Sequence, residues 1–205
     1  MAVREGTGER LVRAARELVE EGGYAAASVT AIAGRAGVSA GALYRHFPSK
    51  AELFVQLFRE TADREVAAMG EAAARPGTVV ERMEAVVTTF AAHALHNRRL
   101  AWALVYEPVD PLVDAERLVY RRDYCDRMAG LLRLCVATGE LPDQDAALTA
   151  AALVGGIAEA LVGPLSPVPG STASEEQIVA ACARFCRRAA GAGPGRSTTT
   201  GRRRS

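Results

Sequence analysis

The sequence predicts an all-α fold, and three observations support this prediction. Alanine supplies 41 of the 205 residues, and alanine has the highest helix propensity of any residue. Aromatic residues make up only 5% of the chain and β-branched residues are scattered, which disfavours an all-β fold. Apolar residues recur at helical spacing along most of the chain, with glycine, proline or serine between the periodic segments.

Four helices are predicted in the first 75 residues, because each apolar stripe has a cap or a stop signal beside it. The stop signals are Gly22-Gly23, Gly37 and Pro48, and the predicted N-caps are Ser28, Ser39 and Ser49. The resulting helices cover residues 9–21, about nine residues from Ser28, residues 40–46 and residues 49–75. The last helix begins with a capping box, since Glu52 stands three residues after Ser49.

Five more helices are predicted after Pro76-Gly77, at residues 78–96, 98–106, 110–138, 143–164 and 174–191. Residues 146–162 are nearly uncharged, but this segment is rich in Ala and Gly and falls short of about 20 strongly apolar residues. We therefore expect no membrane span. From residue 192 onward apolar periodicity is lost, so the basic tail 192–205 is expected to be disordered.

Charge and cysteine usage set the expected compartment. The chain has 25 basic and 24 acidic residues, so its net charge of +1 neither requires nor forbids a polyanionic partner. The N-terminus lacks the pattern of a secretory signal, and we expect a cytoplasmic protein. The four cysteines lack Cys-x-x-Cys spacing and are expected to be small buried thiols rather than a disulfide framework. Only one of the basic residues, Lys50, is a lysine.

The two short helices and the tight turn at residues 37–39 predict a helix-turn-helix unit. After the turn, Ala40 to Ala42 leave the backbone accessible, which suits entry into a DNA groove and also suits packing. Tyr44 to His46 place groups that bind phosphate at the end of the same helix. Lys50 begins the next helix, where a cation opposes the macrodipole unless an anion such as a DNA phosphate is near. An ordinary helical corner and a solvated lysine are the alternatives.

The segment Ser28 to Lys50, SVTAIAGRAGVSAGALYRHFPSK, resembles the N-terminal motif of TetR-family transcriptional regulators. The resemblance is strong over residues 9–58, and the remainder agrees in helix number and length. It implies a three-helix DNA-binding domain over residues 1–50 and a C-terminal domain over 51–191 that binds an inducer and dimerises, with the helix at 49–75 connecting them.

The resemblance also implies roles for individual residues of the helix-turn-helix unit. DNA phosphates are expected to be contacted by Ser28, Tyr44, His46 and Lys50. Base edges are expected to be faced by Thr30, Ser39, Ala40, Gly41, Ala42 and Arg45. Because residues 40–42 have no long polar side chains, they offer only backbone and methyl contacts.

The C-terminal half is expected to hold a ligand pocket and the dimer interface. A pocket for a small apolar or aromatic molecule is predicted among the bulky residues of the middle helices, although these serve equally as plain core: Met83, Val87, Phe90, Ala94, Trp102, Tyr106, Tyr124 and Met128. The resemblance places a homodimer interface on the helices at 143–164 and 174–191, which are rich in Ala and Gly. His93-x-x-His96 and Cys182-x-x-x-Cys186 lack an evident third ligand, so we expect no metal site and no cofactor.

These expectations combine into a cytoplasmic, homodimeric, ligand-responsive regulator, most often a repressor in such families, that a small molecule releases from a pseudo-palindromic operator. No catalytic motif stands out, so we do not expect an enzyme. Two alternatives remain open. One is an all-helical enzyme or ligand carrier with an incidental helix-turn-helix, and the other is an architectural DNA-binding protein that responds to no metabolite.

Overall fold

The computed structural model describes residues 6–168 and 173–192, which form nine α-helices and no strand. The predicted all-α fold is therefore confirmed. In chain order the helices are α1 (Thr7–Ala26), α2 (Val29–Arg35), α3 (Ala40–His46), α4 (Lys50–Ala73), α5 (Val79–His96), α6 (Arg98–Val105), α7 (Pro111–Ala137), α8 (Ala146–Leu165) and α9 (Glu175–Ala189). Of the tail 192–205 predicted to be disordered, all residues after Ala192 lie outside the described residues.

The first helix is interrupted at its predicted stop, because the backbone of Gly23 is not helical. Gly23 has a φ of +76°, a conformation that glycine adopts readily, and the helix resumes as far as Ala26. The bend is held from a distant part of the chain, since the Glu107 carboxylate accepts a hydrogen bond of 2.8 Å from the backbone N–H of Tyr24. The stop predicted at Gly22-Gly23 is confirmed by the non-helical backbone of Gly23, and α1 as a whole extends five residues past the predicted end at residue 21 because a short helical stretch follows the bend.

Serine side chains start the three helices that follow, as predicted. The hydroxyl oxygens of Ser28, Ser39 and Ser49 accept hydrogen bonds of 3.2, 3.1 and 3.1 Å from the backbone N–H groups three residues later. Each bond satisfies one of the amides that a helix leaves without an intrahelical partner. Among the described contacts, only this half of the capping box predicted at Ser49 is present.

Two apolar clusters form the core, and α4 contributes to both. The first cluster joins α1, α2 and α3 to the first half of α4 and to α6, and it includes Phe54 and Leu57. The second joins the end of α4 to α5, α7, α8 and α9, and it includes Met69 and Ala72. One continuous helix therefore connects the helix-turn-helix unit with the C-terminal helices. The domain boundary at residue 50 stays a prediction.

The helix α8 is the one described helix that is long and apolar enough to cross a membrane, judged by length and composition. Its inner face is buried through Ala150, Leu153 and Ile157. Its outer face is open in the single chain, and Leu148 on that face is 69% exposed. The helix packs against α7 and α9 within the described fold, so its composition is weak support for a membrane span.

Candidate DNA-binding face and ligand cavity

A tight turn sets α2 and α3 in their helix-turn-helix arrangement. Gly37 has a φ of +68°. The Val38 N–H donates to the Ala33 carbonyl at 2.9 Å and the Gly37 N–H to the Gly34 carbonyl at 3.1 Å, which closes α2. The buried side chains of Ile32 and Leu43 belong to the same core cluster as α1. The remaining faces of α2 and α3 are thereby left to solvent.

The structure exposes most of the residues predicted to contact DNA. Ala42 and Lys50 are partly buried, and the exposed residues are Ser28, Thr30, Ser39, Ala40, Gly41, Tyr44, Arg45 and His46. Helical periodicity puts Gly41 and Arg45 opposite the buried Leu43. Tyr44 beside them is 52% exposed although it is a large aromatic residue. The α3 surface therefore offers a narrow centre with a phenol and a guanidinium toward its end.

The N-cap serines keep a free donor after capping. Ser28 and Ser39 use their hydroxyl oxygens as acceptors for backbone N–H groups. A hydroxyl has one O–H donor besides its acceptor lone pairs, so each can still donate to a phosphate or a base edge. Capping and DNA contact are therefore compatible at both positions.

Lys50 makes an internal contact that its sequence position did not reveal. Its Nζ donates to the Tyr24 carbonyl at 3.0 Å and lies 3.9 Å from the centre of the Tyr24 ring. The Phe54 ring centre is 5.2 Å away. Burial lowers the pKa of this amine. The carbonyl end of α1 thus supplies the favourable partner that the sequence argument sought in a phosphate, and phosphate contact by Lys50 stays a prediction.

The start of α1 is a further candidate that sequence reasoning missed. A Cβ added at Gly8 would lie 3.8 Å from Nδ1 of His46, so α1 begins beside the end of α3. Arg10, one turn into α1, donates to the Thr7 hydroxyl at 3.4 Å. An arginine near the start of the first helix was visible in the sequence, but the position of this helix start beside His46 depends on tertiary packing.

A cavity of about 850 Å³ lies between α4, α5, α6, α7 and α8. This volume falls in the range of small-molecule sites, and most of the wall is apolar. Six of the eight predicted pocket residues lie in the wall, namely Val87, Phe90, Ala94, Tyr106, Tyr124 and Met128. The structure thus brings most of the predicted set together around one space.

Met83 and Trp102 lie outside the wall, which corrects the predicted pocket. Met83 lies one turn before Val87 on α5. Its side chain is 0% exposed and packs in the apolar core instead of lining the cavity. Trp102 is one residue away from the face of α6 that carries Ala101 and Val105 into the wall. Its ring instead packs against Tyr106 at a centroid distance of 5.1 Å.

Two tyrosines give the cavity polar groups in an apolar setting. The Tyr106 hydroxyl donates to the Ala158 carbonyl and so ties α6 to α8. Burial raises the pKa of Tyr106 to about 12, with Glu159 adding to the rise and Arg121 opposing it. Burial also raises the pKa of Tyr124, and its ring packs edge-on against Phe90 at 6.1 Å. Both tyrosines therefore remain neutral hydrogen-bonding groups near neutral pH.

Several charged side chains also line the wall, and some of them belong to helices in which no pocket residue was predicted. His93 Nδ1 lies 3.0 and 3.1 Å from the two carboxylate oxygens of Glu65. Burial raises the pKa of Glu65, and His93 opposes that rise. Arg16 of α1 and Arg64 of α4 also reach the wall. Sequence reasoning missed these three α1 and α4 residues, because nothing local indicates that α1 borders a cavity formed mainly by later helices.

Within the described ranges, no group of three or more His, Cys, Asp or Glu side chains is arranged to hold a metal ion. His93 is paired with Glu65, and both Cys182 and Cys186 are buried. Burial raises the pKa of Cys186 to about 12, with nearby Glu84 contributing. A thiol with this pKa stays protonated at neutral pH and is a poor nucleophile.

Residues 11–57 match the family described as bacterial regulatory proteins, tetR family, and residues 76–160 match the tetracyclin repressor-like C-terminal domain. The chain is 37% identical over 79 residues to the HTH-type transcriptional repressor KstR of Mycolicibacterium smegmatis. That alignment covers 38% of this chain and 39% of KstR, so the chain spans about two fifths of that relative's length.

Two solved structures are similar over most of the chain. A transcriptional regulator of the TetR/AcrR family from Thermobifida fusca YX-ER1 is 27% identical with a TM-score of 0.70, over 87% of this chain and 95% of that one. The regulator FadR of Bacillus subtilis, solved in complex with stearoyl-CoA, is 21% identical with a TM-score of 0.71, over 88% of this chain and 96% of that one. The likeness to FadR shows the shared fold.

Proposed function

The chain belongs to the tetR family of bacterial regulatory proteins, and from that premise we propose that it is a DNA-binding transcriptional repressor that a small molecule releases from its operator. One observation carries the proposal. The helix α4 begins at Lys50 beside α3, and from Phe58 to Ala73 it lines the cavity. A ligand that changes the position of α4 thereby changes the position of α3.

The proposed DNA contacts are the exposed side chains of the helix-turn-helix unit. Ser28, Tyr44, His46 and Lys50 hold phosphates, and they set the register of the protein on the duplex. Thr30, Ser39 and Arg45 donate to base edges. The methyl groups of Ala40 and Ala42 meet thymine methyl groups, and Gly41 lets the backbone approach. The exposure of Tyr44 and Arg45 supports these assignments.

The proposed assembly is a homodimer through α8 and α9. Support comes from the apolar side chains that these helices leave open in the single chain, with Leu148 exposed on α8 and Phe185 on α9. A contiguous apolar surface of this kind is typical of an interface with another protein surface. Two-fold symmetry places the two recognition helices about 34–36 Å apart, or a multiple of that distance, on a pseudo-palindromic operator.

The proposed ligand is a small molecule with a large apolar part, such as an acyl chain. The mostly apolar wall of the cavity supports this class, and so does the stearoyl-CoA bound to FadR of Bacillus subtilis. A cytoplasmic location belongs to the same proposal, since operator DNA and metabolites meet there.

The proposal is tested by titrating the purified protein with DNA from upstream of its own gene and with random duplex, over a series of salt concentrations. Tyr44→Phe removes one hydroxyl from an exposed site, so we expect about a tenfold loss of operator affinity and unchanged stability. Tyr120→Phe on α7 is the matched control and should bind the operator as the unaltered protein does.

Equal affinity for every sequence, including duplexes selected from a random pool, would contradict operator recognition and favour an architectural DNA-binding protein. If the unaltered protein bound neither the upstream DNA nor random duplex, an all-helical enzyme or ligand carrier would be favoured.

A further inference from the structure

We propose that Arg16 and Arg64 form an anion-binding corner of the cavity, so that the ligand is an apolar molecule with one anionic group and Arg16 conveys its presence directly to α1. This inference rests on the proposed function, because it names the ligand class of the same cavity and a route from that ligand to the helix-turn-helix unit.

The charge of the cavity wall is the first argument. Five arginines line the wall, whereas Glu65 is the one carboxylate among the described lining residues. Two of the arginines are already neutralised or fully engaged. Arg127 pairs with Asp123 at 2.6 Å. Arg117 pairs with Asp114 at 2.7 Å and donates to three backbone carbonyl groups.

Arg16 is partly buried, yet its positive charge has no ion-pair partner among the described residues. Its guanidinium donates to the Thr61 hydroxyl at 2.8 Å, and within the described chain no carboxylate lies at ion-pair distance from it. The charges of Glu20 and Glu60 oppose the lowering of the Arg16 pKa, but each carboxylate accepts a hydrogen bond from another residue. The Glu20 carboxylate accepts from the Asn97 amide at 2.8 Å, and the Glu60 carboxylate accepts from the Gln56 amide at 3.1 Å. Burial, followed by the charge of Arg64, lowers the pKa of Arg16.

Arg64 completes the corner from the rim. Its side chain is 67% exposed, and its nearest carboxylate oxygen, on Glu60, is 3.8 Å away. Arg16 bonds to Thr61, and Arg64 follows one turn later on α4, so the two like charges lie near each other and Arg64 lowers the pKa of Arg16. An anion between them relieves their repulsion. Guanidinium groups bind carboxylate and phosphate oxygens through paired N–H donors. An amphipathic anion thus places its charged group at the rim and its apolar part inside the cavity.

The position of Arg16 on α1 gives the corner a second consequence. In the structure, Arg16 joins α1 to α4 through the Thr61 hydroxyl. The Glu20 carboxylate on the same helix joins α1 to Asn97 at the α5–α6 corner, and Asn97 also lines the cavity. An anion that draws the Arg16 guanidinium away from Thr61 therefore acts on α1, which packs against both α2 and α3.

The test uses three probes that share one chain length: laurate, dodecanoyl-CoA and the neutral 1-dodecanol. Binding to the full-length protein is measured by calorimetry without DNA. We expect at least one of the two anions to bind about tenfold more tightly than 1-dodecanol, because charge-assisted hydrogen bonds hold only the anion. The better of the two anions distinguishes a carboxylate from the phosphates of coenzyme A as the recognised group.

Arg16→Gln is expected to abolish the preference for the anion while leaving the affinity for 1-dodecanol unchanged, which also shows that the variant is folded. Arg121→Gln is the matched control, since Arg121 lines the same wall and has no carboxylate at ion-pair distance within the described residues. The control should retain the preference for the anion. When the protein is bound to operator DNA, adding the anion should release the unaltered protein and should not release the Arg16→Gln variant.

Three results would overturn the inference: equal binding of all three probes, binding of none, or loss of the anion preference in Arg121→Gln instead of Arg16→Gln. The operator titrations above are independent of these measurements. A protein that recognises its operator without preferring the anion refutes the inference alone, and a protein that prefers the anion without recognising DNA refutes the proposed function alone.

Discussion

The amine of Lys50 lies between two helix ends, the carbonyl end of α1 and the amide end of α4. The contact with Tyr24 satisfies a partly buried backbone carbonyl and places the cation over an aromatic ring. Since the same side chain is the predicted phosphate contact, two roles meet in one residue. They are separable, because stability depends on the first role and the salt dependence of DNA binding on the second.

Lys50→Met keeps the apolar stem and removes the charge. We expect the free energy of unfolding to fall by about 1–2 kcal/mol through loss of the hydrogen bond and the ring contact. We also expect the slope of operator affinity against salt to fall by about one. Urea denaturation and a salt titration measure the two effects. Arg45→Met, on an exposed site of α3, serves as control. It removes a proposed base contact, so it should weaken operator binding and leave the free energy of unfolding unchanged. Unaltered stability of Lys50→Met would contradict the structural role.

Single residues also mark where sequence reasoning stops. The serine caps were predictable, because a cap depends on neighbours within three residues. Arg16 and Glu65 were not, since their place in the cavity wall depends on how α1 and α4 pack against later helices. Trp102 was predicted to line the cavity, but its neighbour Ala101 does so instead. Consecutive residues of a helix point about 100° apart, and the sequence alone did not indicate which of them faces the cavity.

At the scale of the element, α3 depends on its cap, and the proposed DNA-binding face includes that cap. Ser39→Ala is expected to lower the free energy of unfolding by about 1 kcal/mol. Ser39→Asp should retain the cap and the stability. It should weaken operator binding more than Ser39→Ala does, because a carboxylate cannot donate to a base edge and its charge is repelled by the polyanionic duplex. Thermal unfolding and DNA titration measure these effects. Ser174→Asp, at the N-cap of α9, is the control and should leave operator affinity as it was.

Replacing each of two glycines, one on α1 and one on α2, by alanine should change the free energy of unfolding in opposite directions. A Cβ at Gly23 would lie 2.1 Å from a guanidinium nitrogen of Arg99, on a backbone with φ of +76°. We expect Gly23→Ala to lower the free energy of unfolding by about 1–3 kcal/mol. Gly34, inside α2, has open space around its Cβ position. Gly34→Ala should raise stability by up to about 1 kcal/mol. Denaturant midpoints of the two variants give the comparison, and equal shifts would refute it.

The helix bounds show the same limit at this scale. Most helix ends were predicted within three residues, because glycine, proline and capping side chains act locally. The interruption at Gly23 was predicted, and the short helical stretch that follows it as far as Ala26 was not. The bend at Gly23 is held by Glu107, 83 residues further along the chain than Tyr24, and no local pattern contains that contact.

For the whole molecule, the proposed dimer makes a prediction with an internal control. Leu148 on α8 and Leu118 on α7 are 69% and 68% exposed in the single chain. If the interface is formed by α8 and α9, Leu148→Asp should convert the dimer to a monomer and reduce operator affinity at least tenfold. Leu118→Asp should leave a dimer. Sedimentation velocity distinguishes these outcomes, and dissociation by Leu118→Asp alone would place the interface on α7.

Trp102, which lies just outside the cavity, gives the molecule a built-in optical reporter. It is the single tryptophan in the sequence, and its ring packs against Tyr106, whose hydroxyl ties α6 to α8. Fluorescence excited selectively in the indole therefore comes from one known place. A ligand that displaces Tyr106 changes the surroundings of that indole. The wavelength and intensity of its emission therefore report whether the cavity is occupied, without any added label.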